Sequence, residues 1–358
     1  MNTADIVALS KILIAVPTVI GNQKYLDLAL EIVHQDLSEY NHKRYLCNNF
    51  SSILYYNTKS PTDKFKIILN GQLDVTFAKD SQFKPYVKDG KLYGRGAYDM
   101  KSAAAVMILV FKELANKVTY PLALQLTTDQ ELDSHFGTRY QIEQGVRGDF
   151  VINTSTTQLA ISNESKGNMR LRIEAQGKRA ASAQLWEGKN AILEMTRFLN
   201  ALEKEFPEPT DNKWQTTINI GKITTTNMDI TNVPDNCEVY LDIKYTKEDQ
   251  ATILDKIKKL ISKNLTMEVL ITEPPHFTPK DNPYIPILGK AIEKVTGKPY
   301  IIAPRNWIGS LRHYNAVGGH GASFGPIGGG AHADEEWVDI ESLGTYYHAL
   351  KEFLLSLE

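Results

Sequence analysis

The sequence predicts an α/β fold: a mostly parallel sheet with helices packed against it, interrupted by a smaller inserted domain. Three observations predict it. Apolar runs of strand length at 65–69, 122–127 and 150–152 are separated by stretches of helical periodicity. Each run ends in polar residues, Asn70-Gly71-Gln72-Leu73-Asp74, Asp129-Gln130-Glu131 and Asn153-Thr154-Ser155, and the carboxyl ends of strands are where open sheets gather their working groups. From 166 to 274 the order changes to β-α-β-β-α-β, the split unit of a ferredoxin-like domain.

The elements follow in order. Ile6, Leu9, Ile12 and Leu13 recur at helical spacing over residues 4–15, and Leu26, Leu28, Leu30, Ile32 and Val33 do so over 24–37. Short strands are expected near 44–47 and 53–56. Residues 94–105, GRGAYDMKSAAA, read as a glycine-permitted turn, a carboxylate at a helix entrance, and a buried helix from 100 to about 114. Asp99 stands there either as a helix cap or as a metal ligand on a stiff turn. A helix carrying Gly137 and Tyr140 follows the second parallel strand. In the insert, 169–175, 216–225, 237–245 and 267–272 read as strands and 190–205 and 248–263 as helices, with a turn at Asn232-Val233-Pro234-Asp235. The main domain resumes with a helix near 284–295 and strands near 300–303 and 322–324. A glycine-rich loop at 325–330 then leads to His332, and a closing helix runs from about 341 to 356. The boundaries are thus 1–165 with 275–358 for the α/β domain, and 166–274 for the insert.

At 358 residues the chain has room for two domains. A net charge of −2 gives no electrostatic basis for nucleic-acid or membrane-surface partners. No apolar run is long enough to span a membrane, and the first residues lack the basic start of a signal peptide. Cys47 and Cys237 lie far apart in no metal-type spacing, which suits a reducing compartment, so a cytoplasmic location is expected.

Four stretches, GRGAYDMKSAAA, GKRAASAQLWEGKNAI, the NVPD turn and GPIGGGAHADEEWV, run in this order along nearly the whole chain. Together they resemble the dinuclear zinc amidohydrolase family of acetylornithine deacetylase, succinyl-diaminopimelate desuccinylase, aminoacylase and bacterial glutamate carboxypeptidase. The resemblance implies two zinc ions bridged by an Asp and a water. Each ion has one His and one carboxylate of its own, and a Glu takes the proton from the water. It puts Asp99 at the bridge and matches Glu131 and His332 to the private ligands of one metal, a three-ligand set with an open position.

The other set departs from the family. Its His-x-Asp reads Gln72-Leu73-Asp74, which leaves Asp74, the residue that orients that His, without it. Its Glu-Pro-Thr reads Thr154-Ser155-Thr156. An amide and a hydroxyl are weak zinc ligands. The general-base Glu is Gln130, whose amide accepts no proton. His135, four residues beyond Glu131, stands either as a substitute base on the same helical face or as a structural histidine. The oxyanion-stabilising His of the insert is Ala181. Near the family's carboxylate site its Asp is Ser310, while its Arg survives as Arg312, suited to bidentate binding of a substrate carboxylate. Asn232 keeps the family's turn residue and is counted with the substrate-binding residues. His313 and His320 are candidates to replace lost ligands.

The resemblance therefore implies a family member that binds at most one metal, zinc or else manganese or cobalt, and a small carboxylate or N-acyl amino acid ligand, without efficient hydrolysis. Two alternatives stand beside it: an active one-metal amidohydrolase of N-acyl amino acids or dipeptides, and a non-catalytic scaffold or partner of an active homologue. A homodimer through the inserted domain is the expected assembly.

Overall fold

The computed structural model describes residues 2–60, 62–211 and 213–358. In chain order it contains α1 (Thr3–Ala15), α2 (Gln23–Leu37), β1 (Asn41–Cys47), β2 (Phe50–Tyr56), β3 (Lys64–Gln72), β4 (Tyr86–Lys88), β5 (Lys91–Tyr93), α3 (Lys101–Leu114), β6 (Leu122–Thr127), α4 (Tyr140–Glu143), β7 (Arg147–Thr154) and the two-residue β8 (Glu164–Ser165). Next come β9 (Gly167–Gln176), α5 (Ala191–Glu205), β10 (Thr217–Thr224), β11 (Asn236–Tyr245), α6 (Ile253–Lys258), β12 (Leu265–Glu273) and the two-residue β13 (His276–Phe277). The chain closes with α7 (Tyr284–Thr296), α8 (Leu311–Asn315), β14 (Gly321–Phe324), β15 (Gly328–Gly329), β16 (Trp337–Asp339) and α9 (Ile340–Leu355). Two compact units result. One holds the residues up to Glu164 with Phe277–Arg305 and Gly309–Glu358; the other holds Ser165–His276 and Asn306–Ile308.

The first unit is built on a six-stranded sheet in the order β1-β2-β6-β3-β7-β14. β3 runs parallel to β6 and β7, and β14 runs parallel to β7, while β1 and β2 form an antiparallel hairpin at one edge. This is the mostly parallel sheet that the alternating pattern predicts. β3 and β6 are apolar because both their faces are covered. Helix α3 covers one face and buries twelve of its fourteen residues. It comes close because Gly71 faces it: a Cβ there would meet Ala104 Cβ at 3.4 Å and a Leu126 methyl at 3.1 Å. On the other face Ile68, Ala123 and Val151 pack with Ile142, Leu311 and Tyr314.

Several local expectations need correction. Ile12 is 50% exposed and Leu28 42% exposed. At 100° per residue, Ile12 falls well off the face of Ile6, Leu13 and Ile14, and Leu28 lies opposite Leu26. Residues 300–303 form no strand; a single bridge joins Ile302 to Ile161. The helix expected at 248–263 is only Ile253–Lys258. Asp249 there accepts from Thr216 Oγ1 and Lys256 Nζ, which holds the preceding residues as a turn.

The second unit is a four-stranded antiparallel sheet in the order β10-β11-β9-β12, as the β-α-β-β-α-β pattern requires. Alternate residues Cys237, Val239, Leu241, Ile243 and Tyr245 of β11 turn inward. They share a core with Ala191, Met195, Phe198 and Leu202 of α5 and Ile253 and Ile257 of α6. Among the described residues no helix is long and apolar enough to cross a membrane.

Candidate metal centre

Asp99 owes its place to a carboxylate from far along the chain. The loop 94–99 needs glycine, because Gly96 has φ +84° and a Cβ on it would meet Lys101 Cδ and Val75 Cγ1 at 2.9 Å. Its backbone donors then converge on buried Glu336: Gly96 N–H at 3.0 Å, Tyr98 N–H at 2.9 Å and Asp99 N–H at 2.8 Å. Arg95 Nη1 adds a buried ion pair to Glu336 at 2.8 Å, and its Nη2 donates to Ala333 O at 3.1 Å. Asp99 does not cap the helix. Helix α3 starts two residues later, with Met100 at the cap position and no side-chain cap bond.

Glu131 arrives from another strand end. It sits in a 3₁₀ turn, Gln130–Leu132, just past β6. The Asp74 carboxylate, 3% exposed, holds that turn by accepting Glu131 N–H at 2.8 Å and the Gln130 N–H as well. Asp74 thus orients the Gln130–Glu131 turn in place of the absent histidine. Burial pushes its carboxyl up to about 8. His332 follows the glycine-rich loop in a left-handed turn, φ +63°.

His332 meets both carboxylates. His332 Nε2 lies 3.3 Å from Asp99 Oδ2 and 3.7 Å from Glu131 Oε1. Burial, and then the Asp99 charge, push the Glu131 carboxyl up, while the hydrogen bond to Asp99 raises the His332 imidazole. Two carboxylates and an imidazole, crowded and mutually perturbed, are donors suited to a divalent transition metal.

The residues at the second metal position do not fit a cation. Gln72 is buried, and its Nε2 points to Asn153 Oδ1 at 3.4 Å and Ser310 Oγ at 3.3 Å. The Ser310 hydroxyl lies 2.9 Å from both Asn70 Oδ1 and Asn153 Oδ1. Asn70 Nδ2 donates to Gln125 Oε1 at 2.6 Å, and Gln125 Nε2 to Gln141 Oε1 at 2.9 Å. Thr154 Oγ1 donates to Met100 Sδ at 2.6 Å. All of these side chains are uncharged, and they bond chiefly to one another, although Gln72 Oε1 is buried without a partner.

Three further expectations are corrected. His135 does not share a helical face with Glu131: Asp133 and Ser134, at φ +64° and +58°, break the chain between them. His135 instead lies edge-on to His313 with ring centroids 5.5 Å apart, and His313 Nε2 is 2.8 Å from Asp133 O. Arg312 is no free carboxylate anchor. It is 1% exposed, its Nη1 donates to Gly309 O at 2.8 Å, its Nη2 donates to Asp133 O, and Asp133 Oδ1 lies 3.7 Å away. His320 precedes β14 at the amino end of the sheet, roughly 13 Å of strand from the end where Thr154 pairs with Phe324. Asn232, in the second unit, donates from Nδ2 to Asp229 Oδ2 at 3.0 Å.

The sequence reading missed two residues here. Glu336 lies inside the stretch GPIGGGAHADEEWV, where it looks like one of three adjacent carboxylates. Arg305 lay outside every motif. Its guanidinium is close enough to feel the Asp99 carboxylate and the Tyr98 hydroxyl, and burial pulls it down to about 10.

Comparison with known proteins gives the family and the fold. A family model described as Peptidase family M20/M25/M40 matches residues 68–356. A succinyl-diaminopimelate desuccinylase of Sulfurovum sp. is 25% identical over 316 residues, covering 82% of this chain and 84% of its own. One from Marinobacter nauticus is 26% identical over 292 residues, covering 77% of each. Among solved structures, a tripeptidase from Staphylococcus aureus superposes with a TM-score of 0.82 at 16% identity, covering 99% of this chain and 98% of the other. An M20 family metallo-carboxypeptidase from Sulfolobus solfataricus gives 0.79 at 16% identity over 99% of both.

Proposed function

The chain belongs to peptidase family M20/M25/M40, and from that premise we propose that it is a one-metal member that binds a small carboxylate or N-acyl amino acid ligand and hydrolyses it poorly. One observation carries this reading. Asp99, Glu131 and His332 converge, whereas Gln72 and Thr154, at the other metal's position, belong to an uncharged buried set. Asp99, Glu131 and His332 would hold a divalent cation, which would supply Lewis acidity toward an oxygen of the ligand. The chain's own residues then position without deprotonating: Gln130 has no basic atom at the general-base place, a role worth roughly 10²–10⁴-fold in rate.

Zinc titrated by calorimetry into chelator-stripped protein tests the reading. One equivalent should bind and raise the melting temperature, and His332→Ala should abolish both effects. Two equivalents would point to an ordinary dinuclear enzyme, and none to a scaffold.

A second reading, an active deacylase of N-acyl amino acids, is favoured by the desuccinylases to which the chain is similar over most of their length. Chelator-sensitive release of succinate or acetate from N-acyl amino acids would establish it. The free thiols Cys47 and Cys237 support a cytoplasmic location. Exposed Ile220 and Ile223 on edge strand β10 support a homodimer through the second unit, which light scattering at micromolar concentration decides.

A further inference from the structure

His332 stands on a segment that burial does not hold. His332, Ala333, Asp334 and Glu335 are all exposed. His332 also adopts φ +63°, a left-handed conformation that a residue with a side chain keeps only where its surroundings impose it. What imposes it comes from far back in the chain. Gln82 is 9% exposed and is bonded to both the loop of Asp99 and the loop of His332. Its carbonyl accepts Arg95 N–H at 2.9 Å. Its side-chain Nε2 donates to Ala333 O at 3.2 Å and to Asp334 O at 3.1 Å. Its Oε1 accepts Lys79 N–H at 3.0 Å, and its own N–H donates to Lys79 O at 2.9 Å. Arg95 Nη2 reaches the same Ala333 oxygen from the Asp99 side.

The partners fix which way the Gln82 amide points. Nε2 faces two carbonyl oxygens and Oε1 faces an N–H, so the reversed amide would set oxygen against two carbonyls. A carboxylate of the same shape would repel both oxygens, and an apolar side chain would leave them without this donor. A second tie, the ion pair of Lys79 Nζ with the Asp334 carboxylate, lies in solvent with side chains 66% and 71% exposed, and pairs so exposed hold little. We infer that Gln82 is the positioning residue of His332. Its amide fixes the carbonyls of Ala333 and Asp334, and through them the imidazole beside Asp99 and Glu131. The inference rests on the one-metal reading above, in which His332 is a ligand.

The test compares wild type, Gln82→Met, Gln82→Glu and Lys79→Met by three measurements. Zinc is titrated into chelator-stripped protein by calorimetry. Cobalt-loaded protein is read by its visible spectrum. The His332 ring resonance, identified by its loss in His332→Ala, is followed by NMR in chelator-stripped protein. Gln82→Met removes the two donors. It should weaken zinc binding by about 10–100-fold, change the cobalt spectrum and move the His332 resonance. Gln82→Glu keeps the length and the bond from Lys79 but sets an acceptor against two carbonyls, so it should act at least as strongly. It also carries the test if Gln82→Met fails to fold. Lys79→Met should change none of the three. Zinc affinity, cobalt spectrum and His332 resonance equal to wild type in a folded Gln82 variant, whatever its melting temperature, would overturn the inference. An equal loss in Lys79→Met would overturn it too, in favour of the ion pair. A His332 resonance that moves in the Gln82 variants of a protein that takes no zinc would uphold Gln82 and sink the metal reading alone.

Discussion

The carboxylate of Glu336 accepts the backbone N–H of Asp99 at 2.8 Å across a sequence separation of 237 residues. It ties the loop of one proposed metal ligand to the loop that carries His332, and Arg95 closes the tie from the other side. The centre is therefore held by its supporting carboxylate as much as by its ligands.

Replacing Glu336 should harm both stability and metal binding. Glu336→Gln leaves Arg95 buried beside a neutral group, and breaking a buried pair typically costs about 3–5 kcal/mol. The melting temperature should fall, and zinc affinity should drop by about 10–100-fold, the usual effect of losing a supporting partner. Zinc affinity equal to wild type in a folded Glu336→Gln protein would show that the loops hold without the tie.

Arg312 should matter for stability. Arg312→Ala strips two carbonyl bonds and the Asp133 contact from a buried site, so the expected loss is in stability, on the order of 3 kcal/mol. Arg312→Lys should not repair it, because one ammonium cannot reproduce the fork. Urea denaturation measures this. An Arg312→Ala variant as stable as wild type would show that these bonds do not hold the fold.

Hydrolysis should return only when the second metal position and the base are restored together. Gln72→His with Thr154→Glu replaces neutral groups by zinc donors and should raise zinc uptake from one equivalent to two. Neither change alone should do so. Gln130→Glu alone supplies a base to a one-metal centre and should give no measurable turnover of N-acyl amino acids, because groups that act as one unit are strongly non-additive. Turnover by Gln130→Glu alone would mean that the one-metal centre was already nearly competent.

One acid-sensitive contact lies far from the centre. On α3, burial works to raise the Glu113 carboxyl, but the hydrogen bonds from Lys351 and Tyr347 of α9 outweigh it and bring it down to about 2. A depressed carboxyl stabilises the fold above its unfolded value, near 4.3, and the gain disappears as pH falls toward 2. Wild type should therefore melt higher than Glu113→Gln at pH 6, and the gap should narrow steadily between about pH 4.5 and 2. A gap independent of pH would leave Glu113 with no linked stabilisation.

The sequence by itself determined what local pattern can encode. The apolar runs of β3, β6 and β7 and the split order of the insert announce the architecture, because burial on two faces or one face writes itself into neighbouring residues. Asp99, Glu131 and His332 were picked out by the resemblance of their motifs to a known family, and folding brings His332 beside both carboxylates. Only the tertiary structure decided which long side chains were free. Arg312 looked like an anchor and is consumed by a turn 179 residues earlier. Arg305 looked like nothing and keeps a buried nitrogen unspent. Glu336 serves a loop 237 to 241 residues away. The reach of a guanidinium or a carboxylate is set by what folding brings beside it, and periodicity carries no record of partners so distant in the chain.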